Sequence, residues 1–447
     1  MPSAARCPAI LVAAPASGQG KTTVASALAR LHTRAGRRVR AFKCGPDFLD
    51  PHWLALASGG PVHSLDLWMT GEADCRARLF AAAQEADLVI VEGVMGLFDG
   101  QPSAADLARH FGLPVLAVVD GSAMAGTFGA LAFGLQHYAP GLPWAGVLAN
   151  RVAGERHAAM LQDSLREPTH WLGALPRSAA VSLPERHLGL VAASEVGDAL
   201  ARLDAAADAL ATTPLGQRSP ADWQRHAVDF AAPAAPAAAV VPLLRGKTVA
   251  IARDSAFCFI YPANLDCLDA LGAQVVFFSP LADATLPPCD AVWLPGGYPE
   301  LHAAVLAANA DLRASLQAHV AQGRALYAEC GGMMVLFDAL TTREGDHHAL
   351  WGLLPGWVRM QPRLAALGPQ QWALPDGTLR GHTFHYSTCD TPLLPAARTT
   401  RPTSARHDSP GEAVYRQGPV TASYFHAWFP SSPAAVASLF LPQSPTA

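Results

Sequence analysis

The stretch Ala14-Pro-Ala-Ser-Gly-Gln-Gly20-Lys21-Thr22-Thr23 constrains this chain more than any other. An apolar run, residues 9–14, leads into it. Residues 21–33 follow, with Val24, Leu28 and Leu31 at helical spacing. A strand, a glycine turn and a helix opening on a lysine make an anion cradle. Loop amides and the helix N-terminus face a phosphate, the lysine neutralises it, and the next hydroxyl can ligate Mg²⁺. The candidate nucleotide-binding residues are Ser17, Gly18, Gln19, Gly20, Lys21, Thr22 and Thr23. The usual G-x-x-x-x-G-K-T pattern is broken once, by Pro15 at the first glycine. A plain turn is the alternative reading.

The same alternation continues. Residues 38–44, 86–93, 114–120 and 144–150 read as further apolar strands separated by helical patterns. Near-continuous apolar strands between helices predict a parallel sheet covered on both faces, with ligands at the carboxyl ends of its strands. From Thr212 the pattern decays into a Pro/Ala-rich stretch, and at Lys247-Thr-Val-Ala-Ile-Ala a second alternating unit begins. The expected division is a domain over 1–235, a linker over 236–245 and a domain over 246–447. The last ten residues, rich in Pro and Ser, read as frayed.

In the second unit, Ala325-Leu-Tyr-Ala-Glu-Cys330-Gly-Gly-Met-Met reads as strand, tight turn and helix with a cysteine at the turn. Such an elbow lifts a nucleophile out of its own backbone and leaves amides nearby for an oxyanion. A helix starting at Gly331 or Gly332 is expected to lower the thiol pKa. A buried structural cysteine is the alternative. A second glycine turn, Leu294-Pro-Gly-Gly297-Tyr, follows the apolar run 291–294. Ser423-Tyr-Phe-His426-Ala-Trp-Phe supplies a histidine downstream.

Composition excludes several classes. The chain has 447 residues, 51% hydrophobic and 15% charged, with a formal charge of −4. No nucleic-acid footprint is visible, and no apolar run reaches the length of a membrane span. The eight cysteines form no C-x-x-C pair, which points to reduced thiols in a cytoplasmic setting and away from structural zinc.

The elbow, the glycine turn and the histidine together resemble the glutaminase domain of class I glutamine amidotransferases. The resemblance implies Cys330 as nucleophile, His426 as its base, and the Gly297 and Gly331 amides as oxyanion donors. It departs from that pattern at Ala328, where the elbow usually opens on glycine. It departs again at Trp428, where the usual triad has a glutamate. The first unit is similar to the dethiobiotin synthetase-like group of phosphate-loop proteins, which implies ATP binding with help from Lys43. In that group the Mg²⁺ ligands match Thr22, Asp47 and Glu92. A turn cap is the alternative for Asp47, because Pro-Asp is good turn chemistry.

Four longer stretches narrow the resemblance: Lys43-Cys-Gly-Pro-Asp-Phe-Leu-Asp-Pro-His52, Glu92-Gly-Val-Met-Gly-Leu-Phe-Asp-Gly100, Ala328-Glu-Cys-Gly-Gly332 and Gly381-His-Thr-Phe-His-Tyr-Ser387. In that order, they resemble the cobyrinic acid a,c-diamide synthase family over essentially the whole chain. The resemblance implies amidation of the a and c acetates of a corrin-ring polycarboxylate, using ATP, Mg²⁺ and L-glutamine. It also implies an internal passage for ammonia. Rival readings are amidation of other corrin side chains, as in cobyric acid synthase, and a nucleotide-switched regulator with a degenerate glutaminase domain. No nucleic-acid or membrane partner is expected, and a homodimer is left open. For His382 and His385 a structural role competes with a functional one. His347-His348 reads as an exposed loop, and His52 as a substrate-facing residue or a cap.

Overall fold

The computed structural model describes residues 3–186, 189–190, 193–234, 239–402 and 410–442. Its backbone separates into two compact units, Met1–Pro236 and Ala237–Ala447. The linker expectation falls partly outside the described residues. Leu244, near its end, is buried, and its amide donates to the Leu271 carbonyl, so the ordered second unit begins before it. Of the expected frayed tail, residues 438–440 belong to the helix Pro433–Phe440, and 443–447 lie outside the described residues.

In the first unit, seven strands form a parallel sheet among the described residues. Their spatial order is His63–Leu65, Val39–Cys44, Leu88–Glu92, Ala4–Ala13, Val115–Asp120, Trp144–Val152 and Trp171–Pro176. The central strands are buried along their length, as the apolar runs require when helices cover both faces. The first strand begins earlier than its apolar run, because Ala4 to Pro8 pair antiparallel with Ala227–Ala231. That return strand lies in the region where the periodic signal decays, and its short burial pattern explains why the sequence did not announce it. The strand order steps outward on both sides of Ala4–Ala13. The carboxyl ends of that strand, of Leu88–Glu92 and of Val39–Cys44 are therefore neighbours.

In the second unit the sheet runs Gln274–Phe278, Thr248–Ala252, Ala291–Leu294, Ala325–Glu329, Val420–Ser423, Ala413–Gln417, Ala397–Arg398. The first five strands are parallel; Ala413–Gln417 runs antiparallel to Val420–Ser423, and Ala397–Arg398 antiparallel to Ala413–Gln417. The cysteine strand Ala325–Glu329 thus lies between the strand that ends in the glycine turn and the strand that leads toward His426. A smaller three-stranded sheet, in the order Ala366–Leu374, Gly377–His385, His426–Trp428, places His382 directly across from His426. His347 and His348 fall on a short strand, His347–Ala349, rather than in a loop, with His347 exposed.

Candidate active sites

At the phosphate loop, Gly20 takes φ 93°, a left-handed conformation that favours glycine. A Cβ there would also overlap the Asn150 amide nitrogen, which donates to the Gln19 carbonyl at 2.9 Å. Gly18 is left-handed as well, and its carbonyl accepts from Arg151 at 2.8 Å. The Gln19 side chain accepts from the Asp120 amide, so the loop is tied to the ends of two neighbouring strands. Ser17 is exposed at the loop tip, and Thr23 is half-buried in the first helical turn. Lys21 Nζ donates to the carbonyls of Ala16 at 3.1 Å and Met95 at 2.6 Å. Burial, and then the Lys43 charge, push Lys21 below the usual lysine range.

Behind the loop sits a buried charge cluster. Lys43 is 1% exposed, and its Nζ lies 2.5 Å from Asp50, 3.2 Å from Glu92 and 3.6 Å from Asp47. Burial opposes its charge, but the Asp50, Glu92 and Asp47 carboxylates outweigh it and raise its pKa well above normal. Glu92 Oε1 accepts from Thr22 Oγ1 at 2.6 Å. Its Oε2 is buried with no hydrogen-bond partner, and burial pushes the carboxyl up to about 8. A buried carboxyl oxygen without a donor fits a cation ligand, because a bound cation would favour its ionised form, and the adjoining Thr22 hydroxyl fits the same ion. Among the described residues, no three His, Cys, Asp or Glu side chains form a ready metal cage. A Mg²⁺ here would therefore draw most of its ligands from phosphate and water. Asp47 behaves as the turn cap: its Oδ1 accepts from the amides of Leu49 and Asp50. Asp50, inside the quoted Lys43-to-His52 stretch, was not singled out by the sequence, although it is the carboxylate nearest Lys43. His52 is half-buried in the first turn of the helix Asp50–Ser58.

In the second unit Cys330 has φ 45° and ψ −108°, a strained position for a residue with a side chain. It caps a helix of only four residues, Gly331–Met334. The expected lowering of its pKa is overturned: burial, then the Glu300 charge, push the thiol well above its usual range. The Gly331 amide pulls the other way without prevailing. A one-turn helix carries too small a dipole to offset full desolvation.

Glycines let the backbone close around this residue. A Cβ on Gly331 would lie 3.0 Å from the Gly297 nitrogen, and a Cβ on Gly296 would overlap the His426 ring. The Gly296–Gly297 turn thus touches both the elbow and the histidine. The Cys330 amide donates to the Ser423 carbonyl at 2.8 Å, which holds the elbow three residues from His426. His426 is 1% exposed, and burial, then His382 and His385, hold it well below the usual histidine range. Its imidazole is neutral at pH 7. His382 stacks on it, ring centroids 5.0 Å apart at 17°, and burial pushes His382 down to about 3. His385 stacks on Tyr424 instead, with Nδ1 2.8 Å from the Ser387 carbonyl and Nε2 3.3 Å from Glu412. Trp428, in the place of the usual glutamate, is wholly buried against the edge of Tyr261.

Fold and geometry define a two-part enzyme class, a nucleotide-binding unit joined to a glutamine amidotransferase unit. Family models agree. Residues 10–191 match the CobQ/CobB/MinD/ParA nucleotide binding domain, and residues 248–434 match the CobB/CobQ-like glutamine amidotransferase domain. The chain is 58% identical over 436 residues to the hydrogenobyrinate a,c-diamide synthase of Stutzerimonas stutzeri, covering 98% of this chain and 99% of that protein. It is 56% identical to the protein of the same name from Pseudomonas aeruginosa, covering 98% of each chain. It is 50% identical to the cobyrinate a,c-diamide synthase of Herminiimonas arsenicoxydans, covering 97% of each. The chain belongs to the cobyrinate and hydrogenobyrinate a,c-diamide synthase family.

Proposed function

We propose that this enzyme converts the a and c acetate side chains of a cobyrinic acid ring into amides, at the expense of ATP and glutamine. The observation that carries the reading is the pairing, in one chain, of a phosphate loop backed by buried carboxylates with a strained cysteine elbow and a buried, neutral histidine that both border the Gly296–Gly297 turn. A carboxylate is a poor electrophile at neutral pH, and transfer of the ATP γ-phosphoryl group gives it a leaving group. Lys21 would turn from the Ala16 and Met95 carbonyls to the phosphates, and the loop amides from Gly18 to Thr22 would cradle them. Mg²⁺, which neutralises phosphate charge, would be held by Thr22 and Glu92. Asp47 would be its third protein ligand, and Lys43 would fix the carboxylates.

In the second unit, His426 would take the Cys330 proton as sulfur attacks the glutamine amide carbon, and the Gly297 and Gly331 amides would hold the oxyanion. The proton passes to the departing ammonia. Water then releases glutamate from the thioester and restores the thiol. Ammonia attacks the acyl phosphate, phosphate leaves, and the amide remains. The two relatives of highest identity above are named for the cobalt-free ring, which favours hydrogenobyrinic acid as substrate.

The test offers cobyrinic and hydrogenobyrinic acids separately and weighs the products. Two added amides on hydrogenobyrinic acid are expected. Four would mean the cobyric acid synthase type of reaction, and none with glutamine or ammonia would leave only a regulatory reading.

A further inference from the structure

The His426–Trp428 strand lies at the edge of its three-stranded sheet. Among the described residues it pairs with Gly377–His385 on one side only, so alternate backbone groups point away from that strand. Those groups belong to Ala427, the residue after the histidine. Two buried side chains take them. Glu329 Oε1 accepts from the Ala427 amide at 3.0 Å, and Asn264 Nδ2 donates to the Ala427 carbonyl at 2.9 Å. Asn264 Oδ1 also accepts from the Phe429 amide at 2.9 Å, so it spans Trp428. Both side chains are 1% exposed.

Glu329 immediately precedes Cys330 and closes the cysteine strand. Its Oε1 accepts a second bond, from the Tyr327 hydroxyl at 3.0 Å. One carboxyl therefore joins the strand that carries the nucleophile to the strand that carries the base. Buried polar groups are expensive to desolvate, and a fully satisfied pair fixes geometry that apolar packing leaves loose. Trp428 supplies no carboxylate to orient the imidazole.

We propose that Glu329 and Asn264 are positioning residues that hold His426 in line with Cys330 by gripping the Ala427 peptide instead of the imidazole. The proposal rests on the glutaminase reading of Cys330 and His426. Burial pushes Glu329 up to about 8, so its neutral form dominates at pH 7. A glutamine at this position keeps the acceptor oxygen.

The experiment measures glutamine hydrolysis and ammonia-dependent amidation in Glu329→Ala and Glu329→Gln. Misalignment of a catalytic pair by about an ångström lowers turnover about 10²-fold, so Glu329→Ala should lose about that in kcat for glutamine. Its glutamine KM should change less than about threefold, because the binding contacts remain. Glu329→Gln should recover most of the loss, and ammonia-dependent amidation should match wild type in both. The proposal is overturned if Glu329→Ala hydrolyses glutamine within about twofold of wild type, well short of the misalignment loss. It is equally overturned if Glu329→Gln is as damaged as Glu329→Ala, or if ammonia-dependent amidation falls with it. Failure of the glutaminase reading would look different: glutamine hydrolysis would survive Cys330→Ala.

Discussion

The two units carry their proposed chemistry at the ends of parallel strands, yet only the first buries a charged ion pair there. Around the phosphate loop one buried ion pair is held charged, Lys43 with Asp50, while burial raises the adjoining Asp47 to about 7 and Glu92 to about 8 and lowers Lys21. Around the elbow, burial drives each group toward neutrality: Cys330 and Glu329 upward, His426 and His382 downward. The difference fits the proposed ligands. A triphosphate arrives with charge and counter-ions, so a preassembled set of charges can exchange partners with it. Glutamine presents a neutral amide to the nucleophile, and a desolvated site strengthens every dipole aimed at the developing oxyanion.

The largest expected effects come from breaking one unit and leaving the other. Cys330→Ala removes the nucleophile and should cut glutamine-dependent amidation by about 10⁴-fold or more while leaving ammonia-dependent amidation intact. Lys21→Ala should cut both by about 10³-fold or more, because acyl phosphate formation needs the charge on the transferred group neutralised. If Lys21→Ala still made amide from ammonia, the phosphate loop would not be the activating site. If ammonia at high concentration and high pH did not rescue Cys330→Ala, the two units would not divide the labour as described.

A smaller loss is expected for His426→Ala. General acid–base catalysis is worth about 10²–10⁴-fold, and the glutaminase rate with substrate and MgATP present should fall within that range. A variant within about twofold of wild type, well short of that range, would move the search for the base to His382, stacked on the same ring. The smallest effect sharpens the contrast in charge. Because burial raises the Cys330 pKa above the ordinary 9.0, its thiolate fraction in the free enzyme still climbs where an ordinary thiol has saturated. Iodoacetamide alkylation of Cys330 should be slow at neutral pH and keep accelerating beyond about pH 10.5, where a thiol of ordinary pKa has saturated, with Cys330→Ala as the blank. A rate that levels off near pH 7 would mean a preformed thiolate and a site less desolvated than this one.

Much of this was legible in the residues. The phosphate-loop strand, turn and helix, the parallel sheet and the cysteine at the elbow follow from local rules. Those rules are apolar runs of strand length, glycine where a left-handed turn is needed, and a lysine opening a helix. Local signals carry little beyond a few residues, which is why the return strand Ala227–Ala231 passed unnoticed. Protonation was not legible either. A helix at Gly331 promised a lowered thiol, but the dipole is a local quantity and burial a tertiary one, and burial is the larger.

The same division separates the site residues. The sequence by itself named the groups proposed to carry the chemistry: Lys21, Thr22 and Cys330 from local patterns with a mechanical reason, Glu92 and His426 from the family resemblance. Only the tertiary structure decided what stands behind them. Asp50 folds back on Lys43 from seven residues away, while His382 against His426, and Glu329 and Asn264 on the Ala427 peptide, are contacts between elements distant in the chain. A hydrogen bond to a backbone amide leaves no residue-type signature at the amide it holds. Ala427 reads as any alanine, and its role exists only once the sheet edge beside it is left open.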